Sequence, residues 1–527
     1  MLLRLRITQS ILNVISLILR PIWLFIFKKP PSIPPPTIPT KKYLLTLSAT
    51  TLARKIRQRK ITCYHLVDAY AERIKEVNPY LNAVVDNCFG DAIIQAKLYD
   101  EQLKAGKYNA ETLEKEKPLY GVPFTVKESC SLKGCSYTAG SLARKKMKAT
   151  RDSEVVEILR NAGAIPLCVT NTPEMCGGVE SSNLLHGRTR NPYDTRYSPG
   201  GSSGGEGALL GAGASLIGVG SDFGGSIRIP AVCNGVFGLK PTPGIVPLAG
   251  HLPLNEDELF RKFLTLGPLT RYAEDLDLLI KLITVKCDRP LHLNVPVDLK
   301  QLKIYYQQGL DNKFCMHSVD PEIKECILKA ANHFTQYSNC VKKLPIEWPN
   351  DILEITIVTY FNIKNLPNLL IDANNPELRK NPITELAKSL FGLSQHTSQT
   401  CFFTVTFETH LGLSKEDISY YTKKGEEIRE KLLNLLGQDG VLIYPTFSSI
   451  GMLPEFSICE ILNISYSSIF NTFGLPAVNV PMGLSRKGLP LGLQVVAAPY
   501  QDRLCLAVAK ELEAAFGGWV PPYPVSN

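Results

Sequence analysis

Acidic residues are missing from the first 42 positions, histidines from the last 117, and paired cysteine spacings from the whole 527-residue chain. Each absence excludes something. Seven basic residues (Arg4, Arg6, Arg20, Lys28, Lys29, Lys41 and Lys42) fall in those 42 positions, which leaves 51 basic against 49 acidic residues in the remainder. The body is therefore nearly neutral and has no basic stripe, so no nucleic-acid partner is expected. The 14 cysteines are scattered from Cys63 to Cys505 with no Cys/His cluster at metal-ligand spacing, which reads as free thiols in a reducing compartment. No internal repeat is evident. At 44% hydrophobic and 20% charged residues, disorder and fibre are excluded. Length alone suggests three or four domains at about 150 residues each, but that ratio is only a prior.

The most apolar run, Ile7 to Phe27, is long enough to cross a bilayer, which takes about 20 residues. Arg20 lies inside it. Arg6, Gln9, Asn13, Ser16 and Arg20 recur at steps of three and four, one helical face, as an interfacial helix would show. Residues 1–29 are thus expected to anchor the chain to an intracellular membrane, as one span or as an in-plane helix. A cleaved signal peptide is disfavoured, because Lys28, Lys29 and prolines follow the run instead of a small-residue cleavage site. Six prolines between 30 and 39 make residues 30–42 a stiff spacer.

Beyond it, residues 43–527 read as one large domain. Leu66, Val67, Tyr70 and Ile74 share a helical face within 63–76. Residues 121–127 alternate as a strand that ends at Lys127. Asp152 or Ser153 caps a helix to Asn161, stopped by Gly163, and 164–170 is the next strand. Residues 439–444 and 489–497 read as buried strands, and 502–516 as a closing helix. Strands alternating with helices define an α/β class with a large sheet.

Eleven of the 38 glycines fall between Gly200 and Gly225. A flexible linker does not fit, because Leu209, Leu210, Leu216, Ile217 and Val219 are interleaved and must be buried. A P-loop does not fit, since no Lys-Ser or Lys-Thr follows at the required spacing. What remains is backbone built for close approach to a substrate oxygen. Gly200 to Gly204 matches the G-x-S-x-G elbow of α/β-hydrolases, with Ser202 as nucleophile. That motif must follow a strand and be served by a later His, whereas turn-like residues precede it and the C-terminal histidines are missing. The alternative is a serine activated by a lysine kept neutral through burial. Lys127 is the candidate, at the carboxyl end of its strand, where open α/β sheets place their sites.

Four motifs, Gly121 to Glu128, Pro199 to Glu206, Ser221 to Pro230 and Gly238 to Pro241, together resemble the amidase signature family, over roughly residue 45 to the end. The resemblance implies the amidase signature fold, a large mixed sheet flanked by helices. It implies Lys127 as base, Ser202 as a relay on a cis peptide, and Ser226 as the nucleophile that forms an acyl-enzyme. It further implies an oxyanion hole from the N–H groups of Phe223, Gly224, Gly225 and Ser226, and no metal or organic cofactor. Ser203 is expected to hydrogen-bond within its loop, and Asp222 with Arg228 to hold the nucleophile turn as an ion pair. Cys176 falls where a membrane-bound member of the family has an apolar substrate-contacting residue; a small buried thiol explains it equally well.

Taken with the N-terminal run, the resemblance implies a lipid amide substrate and a membrane as partners, with a homodimer left open. The expected reaction is hydrolysis of long-chain primary amides and N-acyl-ethanolamides. Residues 355–361 and 402–407 either line an acyl channel, face the membrane or pack the core. The competing readings are an amidase for shorter or aromatic amides or esters, an α/β-hydrolase-type esterase using Ser202, an amidotransferase subunit, and a scaffold without activity. Intact Lys127, Ser202 and Ser226 oppose the last.

Overall fold

The computed structural model describes residues 32–284, 287, 289–310, 318–347, 351–375 and 377–522. The anchor expected over 1–29 lies outside the described residues. Among the described residues no helix is long and apolar enough to cross a membrane. From Ser32 the proline-rich segment runs along the body instead of away from it. Buried Arg73 donates to the carbonyls of Pro36 (2.9 Å) and Thr37 (3.4 Å), and Ile38 is buried. Prolines bring carbonyls but no N–H groups, so one guanidinium answers this stretch.

Eleven strands from the length of the body build one sheet: β1 (Val84–Asn87), β2 (Pro123–Lys127), β3 (Ile165–Thr170), β4 (Ile217–Asp222), β5 (Phe237–Lys240), β6 (Thr265–Thr270), β7 (Lys303–Tyr306), β8 (Cys340–Lys343), β9 (Gly440–Tyr444), β10 (Ala477–Leu484) and β11 (Pro490–Ala497). Their order is β1-β3-β2-β4-β6-β5-β10-β11-β9-β7-β8. β2 runs parallel to both neighbours, β3 and β4. The middle of the sheet is antiparallel, and β9, β7 and β8 are again parallel. The sheet is therefore mixed, with helices over it. Strands β2, β3 and β4 are buried at every residue, as near-continuous apolar runs in a covered parallel region should be.

The expected elements fall close to where the residue patterns place them. The first long helix spans Cys63–Leu81, with Thr62 accepting from the His65 N–H at its start. The Glu154–Asn161 helix starts after Ser153, whose side chain makes no cap bond. Asp152 accepts instead from the Lys133 N–H at 2.7 Å. The closing helix is Asp502–Phe516. Residues 355–361 and 402–407 belong to two helices, Ile352–Phe361 and Ser398–Thr409.

The glycine-rich stretch divides into two uses. Gly204–Gly211 is a buried helix. A Cβ on Gly205 would lie 2.6 Å from the Asn171 backbone nitrogen, so glycine here serves packing, not substrate approach. At Gly225, φ is +114° and a Cβ would lie 2.8 Å from Ser467 Cβ, so the turn before Ser226 admits no side chain at that position.

Candidate active site

Lys127 ends β2 and Asp222 ends the parallel neighbour β4, so both strands deliver their last residues to the same edge of the sheet. Lys127 is wholly buried. Its Nζ donates to Ser202 Oγ at 2.7 Å and to Ser221 Oγ at 2.9 Å. The Gly201–Ser202 peptide is cis. Ser203 lies against the nucleophile turn: its N–H donates to the Ser226 carbonyl at 3.1 Å, and its Oγ accepts from the Ser221 N–H at 3.4 Å. Below Lys127, buried Glu206 accepts from Thr125 (2.5 Å) and Thr170 (2.7 Å). Burial pushes its carboxyl up to about 8, against the pull of those hydroxyls and of Lys127.

The turn that carries Ser226 is tied to one carboxylate. Asp222 accepts from Arg228 through both oxygens (3.0 Å each), from the Gly225 N–H (2.7 Å), the Ile227 N–H (3.1 Å) and the Asn471 amide (2.9 Å). Arg228 also donates to Gln494 Oε1 (2.8 Å), Asn471 Oδ1 (2.6 Å) and the Ser467 carbonyl (2.9 Å). Burial alone would push the Asp222 carboxyl up. The Arg228 guanidinium, with Lys240 and Asn471, outweighs it and holds the group well below the usual carboxylate range.

This arrangement corrects one expectation. The Gly225 N–H is committed to Asp222, so it is not a free oxyanion donor in this state. The N–H groups of Phe223, Gly224 and Ser226 have no partner among the described residues, and these three residues line the cavity while Gly225 does not. The Phe223 carbonyl is fixed from behind by the Tyr360 hydroxyl at 3.0 Å, and the two rings stack at 5.2 Å.

Ser202, Ser221 and Ser226 open into one cavity of about 530 Å³. Its walls further out are apolar, with Phe260, Leu264, Leu366, Phe403 and Phe407, and Arg379 and Glu408 also line it. The two apolar stretches singled out in the sequence thus supply cavity wall through Tyr360, Phe403 and Phe407, and core through Ile355 and Val358. Among the described residues the Ser226 hydroxyl makes no hydrogen bond, so the link from Ser202 to Ser226 is not closed here. Catalytic hydrogen bonds are commonly long before substrate arrives.

Cys176 also lines the cavity, in a left-handed conformation (φ 60°), with Sγ 3.6 Å from the Leu252 carbonyl. Burial would push this thiol up. The Lys127 charge and the nearby His251 outweigh it and bring the thiol down to about 6. His251 is itself fixed by Ser129 (3.2 Å) and the Pro253 carbonyl (3.0 Å).

Sequence reasoning gave Ser221, Glu206, His251 and Asn471 no role, and it placed Tyr360 only within a stretch that could line an acyl channel. Ser221 had a signal: in β4 it sits two residues from Val219, at the strand's carboxyl end beside Lys127. Asn471 had none, and the bond from Tyr360 to Phe223 had none either, because only the tertiary fold brings these two residues to the Ser226 turn.

The family model described as Amidase matches residues 65–506. The chain belongs to the amidase signature family and is an amide-hydrolysing enzyme. It is 39% identical over 491 residues to "Fatty-acid amide hydrolase 2" of Homo sapiens, covering 92% of each chain. It is 38% identical over 504 residues to "Fatty-acid amide hydrolase 2-B" of Danio rerio, covering 94% of this chain and 93% of that one. The solved structure "Fatty acid amide hydrolase" superposes with a TM-score of 0.72, over 92% of this chain and 88% of that one, at 21% identity, a likeness of fold.

Proposed function

We propose that the enzyme hydrolyses long-chain fatty-acid amides, primary amides and N-acyl-ethanolamides, through an acyl-enzyme on Ser226. The observation that carries this reading is the cavity: three serines and free backbone N–H groups at one end, aromatic and aliphatic walls beyond. The names of the relatives that span nearly the whole chain support the substrate class.

In the reaction, Lys127 in its uncharged form takes the Ser202 proton as Ser202 takes that of Ser226; in its charged form it is the cation that pulls on Cys176 and Glu206. The Ser226 oxygen attacks the amide carbonyl carbon. The carbonyl oxygen gains charge and accepts from the N–H groups of Phe223, Gly224 and Ser226. The C–N bond then breaks, and the proton returns through Ser202 to the departing nitrogen, because an amine anion is a very poor leaving group. Water enters, loses a proton along the same path and releases the fatty acid. Ser221 keeps Lys127 aimed at Ser202. Residues 1–29 hold the enzyme at the membrane, where such substrates partition.

The test is a small serine-directed fluorophosphonate on wild type and Ser226→Ala, followed by a panel of acyl amides. Labelling of wild type and loss in Ser226→Ala are expected, together with turnover of long-chain amides. Equal labelling of both proteins sinks the nucleophile assignment. Turnover of only short or aromatic amides sinks the lipid assignment and leaves amide hydrolysis standing.

A further inference from the structure

A chain of polar side chains joins three walls of the cavity without touching its serines. Glu174 Oε1 lies 2.8 Å from His396 Nδ1, and both residues are buried, at 1% and 3% exposure. His396 Nε2 lies 3.3 Å from Lys380 Nζ, which pairs with Asp372 at 3.0 Å. A lysine only donates, so Nε2 accepts and the ring proton sits on Nδ1, where it donates to Glu174. The second Glu174 oxygen accepts from the Thr397 N–H at 3.0 Å. Both carboxylate oxygens are therefore in use, and an amide in place of the carboxylate would leave one of these two donors facing an NH₂ group.

The members are shared among the three walls. Glu174 begins the turn whose next residues, Met175 to Val179, line the cavity beside Ser202. His396 and Thr397 lead into the Ser398–Thr409 helix, which presents Phe403 and Phe407. Two further bonds stitch that helix to the turn: Thr400 Oγ1 to the Glu174 carbonyl at 3.2 Å, and the Val179 N–H to Gln399 Oε1 at 2.8 Å. Asp372 and Lys380 lie just outside the 365–369 segment and Arg379, which form the third wall.

We infer that Glu174 and His396 are positioning residues that set the spacing between these walls, and with it the preference for long acyl chains. The inference rests on the acyl-cavity reading above. The reacting end is held separately, by Lys127 and the Asp222–Arg228 network, so loosening the walls leaves the chemistry in place. Phe403 and Phe407 grip only apolar chain, which a short amide does not offer.

The experiment measures kcat and KM of wild type, Glu174→Gln and Lys380→Met on a long-chain and a butyryl-class primary amide, with fluorophosphonate labelling of Ser226 alongside. In Glu174→Gln the long-to-short ratio of kcat/KM should fall about tenfold, through KM for the long amide, the effect of about one lost buried hydrogen bond. Labelling should stay within about twofold of wild type, since the reacting end is held elsewhere. Lys380→Met, at the less buried end, should move the ratio the same way and decides the matter alone if Glu174→Gln does not fold. An unchanged ratio in the folded variants, or equal loss on both amides, overturns the inference. A wild type that prefers the short amide counts instead against the lipid-substrate reading.

Discussion

Two buried groups near Lys127 make opposite use of the same surroundings. Glu206 has hydroxyl partners but no bound counter-ion, and burial keeps its proton on up to about pH 8. An unfolded Glu releases its proton near about 4.3. Between those values the folded state binds more protons, so the stability Glu206 contributes is full at low pH and is lost as pH rises through 8. Glu206→Gln, neutral throughout, should flatten the decline of Tm between about pH 5 and 8. The same slope in both proteins would count against this assignment. Cys176, by contrast, is held down to about 6 by Lys127 and His251 despite its burial. The wild-type thiol should therefore react with iodoacetamide from about pH 6 upward. Lys127→Met should move that onset to higher pH. Mass spectrometry of the Cys176 peptide across pH decides it, and a profile indifferent to Lys127 would show that the thiol is not coupled to the site.

At the scale of elements, the Ser226 turn depends on the Asp222–Arg228 pair more than on its own residues. Both side chains are fully buried, and Asp222 holds two backbone N–H groups of the turn. Arg228→Ala leaves a buried carboxylate unpaired and should cost about 3–5 kcal/mol in chemical denaturation. Arg228→Lys keeps the charge, loses the two-pronged geometry and should fall between. A cost within about 0.5 kcal/mol for Arg228→Ala, the range of ordinary surface changes, would contradict this view of the turn. How legible such elements are in sequence follows from the distance over which their residues act. The strand ending at Lys127 and the serines of the Gly-rich stretch are local patterns, and they are readable. The commitment of the Gly225 N–H to Asp222 is not, since glycine density speaks of close approach without saying to what. Nor are Asn471 and Gln494, which reach the turn from more than 240 residues away. The same holds for the Glu174–His396 contact, between residues 222 apart.

Over the whole molecule, a nearly neutral catalytic body follows an N-terminal segment that carries seven basic residues and no acidic one. The mixed sheet gathers its chemistry at the carboxyl ends of β2 and β4, and the helices beyond it close an apolar cavity over that edge. Removing residues 1–29 should lower the membrane-bound fraction in a flotation assay while kcat on a soluble short amide stays near wild type; an unchanged membrane fraction would place the lipid-binding surface on the body. The central claim, however, is that one serine of the three carries the acyl group. Acid-quenching the enzyme during turnover of a long-chain amide, digesting it and locating the acyl adduct by mass spectrometry tests that claim directly. The account predicts the added acyl mass on the peptide containing Ser226. An adduct on Ser202, or full turnover with no adduct at any time point, would contradict it.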